Sequence, residues 1–183
     1  VTALQGLRHH GELQPTQKVL INGGSGGVGT FAVQIAKAYG AEVTGVTSTR
    51  NLDLVRSLGA DHVVDYTTTD FVGDGRRYDR ILDTVGNRSV RELRRALAEG
   101  GKAAVTGFTS VRRLLGVSLR GGKDIAQVQA HVTTRDLALL SELIEAGKLR
   151  PQIDRRYRFA ELPAAIAYLE QGHARAKVVV GVA

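Results

Sequence analysis

The stretch VLINGGSGGVGTF, Val19 to Phe31, runs an apolar segment into small residues and out into a second apolar segment. Two chemistries compete for it. Gly24-Ser25-Gly26-Gly27-Val28-Gly29 fits G-x-G-x-x-G, the turn that cradles a dinucleotide's pyrophosphate. Gly23-Gly24-Ser25-Gly26-Gly27 fits G-x-S-x-G, in which the serine is a nucleophile for acyl transfer. A P-loop is excluded, because Gly29 and Thr30 have no lysine between them.

Both readings need a strand before the glycines and a helix after them. Residues 17–22 (QKVLIN) read as that strand. Phe31, Ala32, Ile35, Ala36 and Tyr39 follow at helical spacing until Gly40 stops the helix. The alternation then repeats. Strands are expected at 42–47, 62–66, 78–86, 102–108 and 124–132, with a last one at 176–182. Helices are expected over 50–59, 87–101, 134–146 and 160–171. Strands alternating with helices require parallel pairing and crossover connections. The fold class is therefore α/β: a three-layer, doubly wound parallel sheet in the order 3-2-1-4-5-6, the Rossmann arrangement. A soft boundary near Gly147-Lys148-Leu149 divides a nucleotide-binding domain, 1–148, from a C-terminal helix and strand segment, 149–183.

The position of the glycines favours the dinucleotide. In a hydrolase the elbow follows several strands, and an acid and then a histidine come after the serine. Here the turn follows the first sheet strand. Asp83 or Asp124 with His131 or His173 could complete a triad, but none sits in a distinctive motif. In the dinucleotide reading Gly24 permits the tight turn, Gly26 lets the backbone approach the pyrophosphate, and Gly29 lets the helix pack closely on the strand. The helix start offers free N–H groups and the positive end of its dipole.

The end of the second strand selects the dinucleotide. NAD sites place Asp or Glu there to bind the ribose hydroxyls. This strand ends Val46-Thr47-Ser48-Thr49-Arg50, with no acid. A hydroxyl and a guanidinium suit a 2′-phosphate instead, so NADP(H) is the expected cofactor.

The chain has 183 residues, 43% of them hydrophobic and 23% charged, enough for one domain with a sizeable core. No run approaches the length of a membrane span. The opening lacks the order of a signal peptide. There is no cysteine, hence no disulfide and no thiolate zinc site. A cytoplasmic location is expected. The net charge of +7 is spread over helices and loops without aromatic interleaving, which argues against nucleic acid. The first residue is Val1, within a helix-like pattern, and the chain is expected to belong to a longer protein.

Residues 19–66, from VLINGG to VVDY, closely resemble the coenzyme domain of the medium-chain dehydrogenase/reductase superfamily. The resemblance is to the quinone-oxidoreductase-like branch, often labelled zinc-binding dehydrogenase. LRHHGELQPTQKVLI, YDRILDTVGN, LSELIEAGKLRP and AIAYLEQGHARAKVVV match the same family in order. The resemblance implies a two-domain enzyme that transfers hydride from NADPH to a quinone or to an activated alkene or carbonyl. The segment from Leu149 would return to an N-terminal substrate domain absent from this chain, so the piece alone is expected to turn over little. Gly24, Ser25, Gly26, Gly27, Val28 and Gly29 would lie at the pyrophosphate. Ser48, Arg50 and Tyr66 would lie at the adenosine phosphate. Val85, Gly86 and Asn87 would stand near the ribose bridge and nicotinamide, and Thr106, Gly107 and Phe108 would face the nicotinamide. Lys177 resembles the lysine of a Gly-Lys pair, although here Ala176 precedes it.

No catalytic acid or base is assigned. His9, His10, His62, His131 and His173 are scattered, and no metal is expected. The expected partner is a small-molecule substrate. Neither nucleic acid nor a membrane is expected, and a homodimer is left open. Three rival functions remain: the coenzyme domain of a zinc-dependent alcohol dehydrogenase, a non-catalytic dinucleotide-binding module and, third, the hydrolase.

Overall fold

The computed structural model describes residues 1–172 and 174–182. A leading helix, α1 (Thr2–Arg8), precedes β1 (Lys18–Asn22), α2 (Gly29–Ala38), β2 (Glu42–Thr47), α3 (Leu52–Ser57), β3 (His62–Asp65) and β4 (Tyr78–Asp83). Then come α4 (Val90–Ala96), β5 (Leu97–Val105), α5 (Val111–Arg120), β6 (Ile125–Gln127), α6 (Thr134–Glu145), β7 (Ile153–Arg158), α7 (Leu162–Glu170) and β8 (Lys177–Gly181). The first six strands form one sheet in the order β3-β2-β1-β4-β5-β6, all parallel, as the alternation required.

The sheet is covered on both faces, which is why its strands are apolar without alternation. Val19 and Ile21 of β1 pack on one side with Leu4 and Leu7 of α1, Ala32, Val33 and Ile35 of α2, and Val55 of α3. Leu20 points the other way, to Phe71, Val90, Leu93 and Val117 beneath α4 and α5. Three layers result. Leu149 is buried in the first core, and Leu139, Leu140 and Leu143 of α6 pack against it.

Several boundaries differ from the sequence expectation. The helix expected over 87–101 stops at Ala96, and Leu97 turns extended, with φ −75° and ψ 143°. Gly100 sits at φ +72°, and a Cβ on Gly101 would stand 2.8 Å from the Tyr78 carbonyl oxygen. The glycine pair thus suits a strand pressed on its neighbour, and β5 starts at Leu97 rather than 102. The sixth strand is only Ile125–Gln127. Helix α5 was not expected; Ser110 caps it by accepting a hydrogen bond from the Arg113 N–H. Strand β7 was not expected either. It pairs in parallel with β8 in a separate two-stranded sheet.

Candidate functional site

A cleft of about 720 Å³ opens at the C-terminal ends of β1, β2 and β4, where the strand order reverses. Such a switch point is where open α/β sheets bind ligands. The glycine turn forms one wall. The left-handed residue of that turn is Gly23, at φ +87°, directly before Gly24. The Gly23 and Gly24 N–H groups both donate to the Val46 carbonyl, at 3.1 and 2.9 Å, tying the turn to β2. Gly29 opens α2, and a Cβ on it would lie 2.0 Å from the Gly23 carbonyl oxygen. Only glycine allows this closeness between helix and strand end. Helix α2 has no side-chain cap at Val28; the Gly26 N–H donates to the Gly23 carbonyl and the Thr30 N–H to the Gly26 carbonyl, both at 3.0 Å, which leaves the N–H groups of Gly27, Val28 and Gly29 at the helix start beside the cleft.

Beside the turn, the Ser25 hydroxyl accepts hydrogen bonds from Thr47 Oγ1 at 2.7 Å and Asn51 Nδ2 at 3.1 Å. Asn51 also reaches Ser48 Oγ at 3.3 Å, and its own Oδ1 is buried without a partner. Ser48, Arg50 and Tyr66 complete this end of the cleft. Among the described residues lining the cleft, Arg50, Arg88 and Lys177 are cationic and none is a carboxylate. The acid next to Tyr66, Asp65, is engaged elsewhere. It accepts hydrogen bonds from Thr49 and Thr67, which hold its carboxyl below the usual range.

The floor is a buried polar network. Asn22 and Asp83 are register partners on β1 and β4. Asn22 Nδ2 donates to Asp83 Oδ1 at 2.8 Å and to Asn87 Oδ1 at 3.1 Å. Asp83 Oδ1 also accepts from the Val85 and Gly86 N–H groups, at 3.0 and 2.9 Å. Burial pushes the Asp83 carboxyl above its ordinary range, and these hydrogen bonds pull against that without cancelling it. Gly86, at φ +68°, packs so tightly on the β5 loop that a Cβ would lie 1.8 Å from the Gly107 carbonyl oxygen.

The expected residues therefore separate into groups. Ser25, Gly26, Gly27, Val28, Ser48, Arg50, Tyr66, Val85, Asn87 and Lys177 line the cleft. Gly24 and Gly29 shape the turn from behind it. Gly86, Thr106, Gly107 and Phe108 form the backbone junction at the ends of β4 and β5, and Phe108 packs toward the core. Asn22, Thr47, Asn51, Thr84 and Arg88 line the cleft without having been expected. Their shared signal was position: each sits at or just past the end of a strand adjoining the switch point. Arg88 is held by Asp70 at 3.0 Å and lies 4.8 Å above the Phe71 ring.

The family model for zinc-binding dehydrogenases matches residues 58–180. The chain belongs to the zinc-binding dehydrogenase family. It is 38% identical to the mitochondrial NAD(P)H oxidoreductase RTN4IP1 of Mus musculus, a match covering 91% of this chain and 48% of that protein. It is 35% identical to the chloroplastic NADPH-dependent alkenal/one oxidoreductase of Arabidopsis thaliana, over 92% of this chain and 42% of that one. The quinone oxidoreductase of Coxiella burnetii superposes with a TM-score of 0.86 at 30% identity, covering all of this chain and 57% of its own. The chain thus spans about half the length of the curated relatives it matches.

In this member of the zinc-binding dehydrogenase family, nothing around Ser25 makes it a nucleophile. Its hydroxyl faces Thr47 and Asn51, not a histidine. Its backbone is not left-handed, whereas Ala176 and Thr16 are. Asp124 pairs with Lys102 at 2.6 Å, and the His131 backbone is tied to Gln5. His173 lies outside the described residues. Among the described residues no group of three His, Cys, Asp or Glu side chains is placed to hold a metal ion. None of the described helices is long and apolar enough to cross a membrane. A second, more open cleft of about 880 Å³ lies between α1 and the segment after β6. Its polar groups largely satisfy one another: Gln5 donates to Asp136 at 2.6 Å, and Arg8 pairs with Glu12 at 2.6 Å. The cleft at the glycine turn, with its cations and free N–H groups, is the better ligand site.

Proposed function

We propose that this chain is the NADP(H)-binding part of an oxidoreductase that reduces a quinone or an activated alkene or carbonyl at the expense of NADPH. The observation that carries the reading is a dinucleotide-sized cleft at a switch point that has cations along it and no carboxylate at its ribose end. The names of the relatives, an NADPH-dependent alkenal/one oxidoreductase and a quinone oxidoreductase among them, support it.

The residues fit the cofactor in pieces. Gly27, Val28 and the start of α2 offer N–H groups to a pyrophosphate, and Gly26 lets the backbone come close to it. Ser48 and Arg50 donate to a 2′-phosphate that an acid at that place would repel. Tyr66 flanks it with an exposed ring. The Asn22–Asp83–Asn87 network fixes the loop after β4 on which a nicotinamide would rest. The bound nicotinamide supplies the hydride, and the chain's own work is to bind and orient it. Residues 149–182 carry Phe159, Leu162, Ile166 and Leu169 exposed. That apolar surface suits contact with a substrate-binding domain, so the chain alone oxidises NADPH near background.

The test is a titration of NADPH and NADH against the wild type and Arg50→Ala at low and high salt. A hydrogen bond to a charged group contributes roughly 1.5–3 kcal/mol, or about ten- to hundredfold. NADPH affinity falls by that order in the variant while NADH affinity stays level, and the NADPH preference weakens with salt. Equal wild-type affinities for the two cofactors overturn the reading.

A further inference from the structure

The outer face built by α4 and α5 has no part in the cleft. A groove of about 670 Å³ between these helices is lined by Arg91, Arg94, Arg95, Arg112, Arg113 and Arg120, with no carboxylate in its lining. Glu92, on α4, is shared: it lies 3.6 Å from Arg113 and is already bound to Arg88 and Ser89. Arg94 is pinned by donating to the Arg120 and Gly121 carbonyls at 2.8 and 3.1 Å. The guanidinium groups of Arg91, Arg95, Arg112 and Arg120 have no hydrogen bond or ion pair among the described residues. Six guanidiniums around one groove repel one another and call for an anion carrying several charges.

Helix α5 adds a second feature. Val111, Leu115 and Leu119, spaced by four, share its outward face and are 71%, 52% and 80% exposed. Arg112 and Arg120 flank this crest on the groove side. An apolar crest bordered by arginines is the composition of a helix that lies in a lipid interface, with apolar tips in the acyl boundary and guanidiniums among the headgroups.

We propose that the α4–α5 face docks on an anionic phospholipid surface. Single-stranded nucleic acid would want aromatic rings for stacking, and the groove has none, while a duplex would leave the exposed apolar crest of Val111, Leu115 and Leu119 without use. A two-fold pairing of this face with a second copy would set arginines against arginines. The expectation of no membrane contact rested on the lack of a span, and peripheral docking needs none. The proposal is independent of the cofactor reading.

The test is co-sedimentation of the protein with vesicles of phosphatidylcholine alone and of phosphatidylcholine mixed with phosphatidylglycerol. Binding to the mixed vesicles only, lost at high salt, is expected. The triple variant Arg91→Ala, Arg95→Ala, Arg112→Ala loses about a hundredfold in partitioning. Leu115→Ser with Leu119→Ser also loses vesicle binding but keeps binding to inositol hexakisphosphate, used as a soluble polyphosphate probe. An unchanged thermal unfolding midpoint shows that these exposed substitutions leave the fold intact. Equal binding to neutral vesicles, binding of the soluble probe without vesicle binding, or a concentration-dependent dimer that the leucine variant abolishes would each overturn the proposal.

Discussion

Lys177 lies over Gly27: a Cβ placed on Gly27 would stand 3.0 Å from the lysine Nζ. The neighbouring Ala176 N–H donates to the Ser25 carbonyl at 2.8 Å. The last strand thus brings a cation onto the glycine turn from 150 residues further along the chain. Lys177→Ala should weaken NADPH binding about tenfold, the low end for a hydrogen bond to a charged group, because the lysine is exposed. Calorimetric titration at two ionic strengths checks this, since the loss should shrink as salt rises. An unchanged affinity would make Lys177 a surface lysine that only packs on the turn.

Two glycines of the motif should differ sharply in their tolerance of alanine. A Cβ on Gly24 meets Gly45 and Val55 at 3.5 Å, ordinary contact, and the φ there is not left-handed. Gly24→Ala should leave stability within about 0.5 kcal/mol. Gly29→Ala forces a methyl group into the Gly23 backbone and should cost at least about 3 kcal/mol, the upper range for overpacking. Urea unfolding of both variants decides it, and similar midpoints would contradict the turn geometry.

Ala176 sits at φ +60°, where a side chain is strained. Ala176→Gly should stabilise by up to about 1 kcal/mol, raising the melting temperature by roughly 2–4 °C for a chain of this size. Differential scanning calorimetry reads the shift directly, and a lower melting temperature would contradict the backbone assignment.

Asp83 should make stability depend on pH. Its folded pKa is raised above 3.8 by burial, so its contribution is fully present below the unfolded value and is lost as pH rises through the folded one. Asp83→Asn keeps an acceptor for the Val85 and Gly86 N–H groups and cannot ionise. Relative to wild type the variant should therefore gain stability as pH climbs from about 4 toward neutrality. Melting curves that stay parallel over that range would show that Asp83 does not titrate there.

Much of this could be read from the chain alone. The run into Gly24 and Gly29, the helical spacing from Phe31 to Tyr39 and the repeated alternation specify a parallel sheet, because periodicity and turn chemistry belong to neighbouring residues. The acid-free end of β2 was legible for the same reason. Helix α5 was missed although Val111, Leu115 and Leu119 recur at helical spacing, because that crest faces outward and Val117 alone of the helix is buried in the core. Nor could local pattern show which glycine of the turn is left-handed; that Gly23 is follows from how the loop bonds to Val46 on β2. The contact of Asn22 with Asp83, 61 residues apart, and that of Lys177 with Gly27 depend on strand register and on where the chain's last strand returns. Such long-range relations are fixed by packing the whole core, and only the tertiary structure decides them.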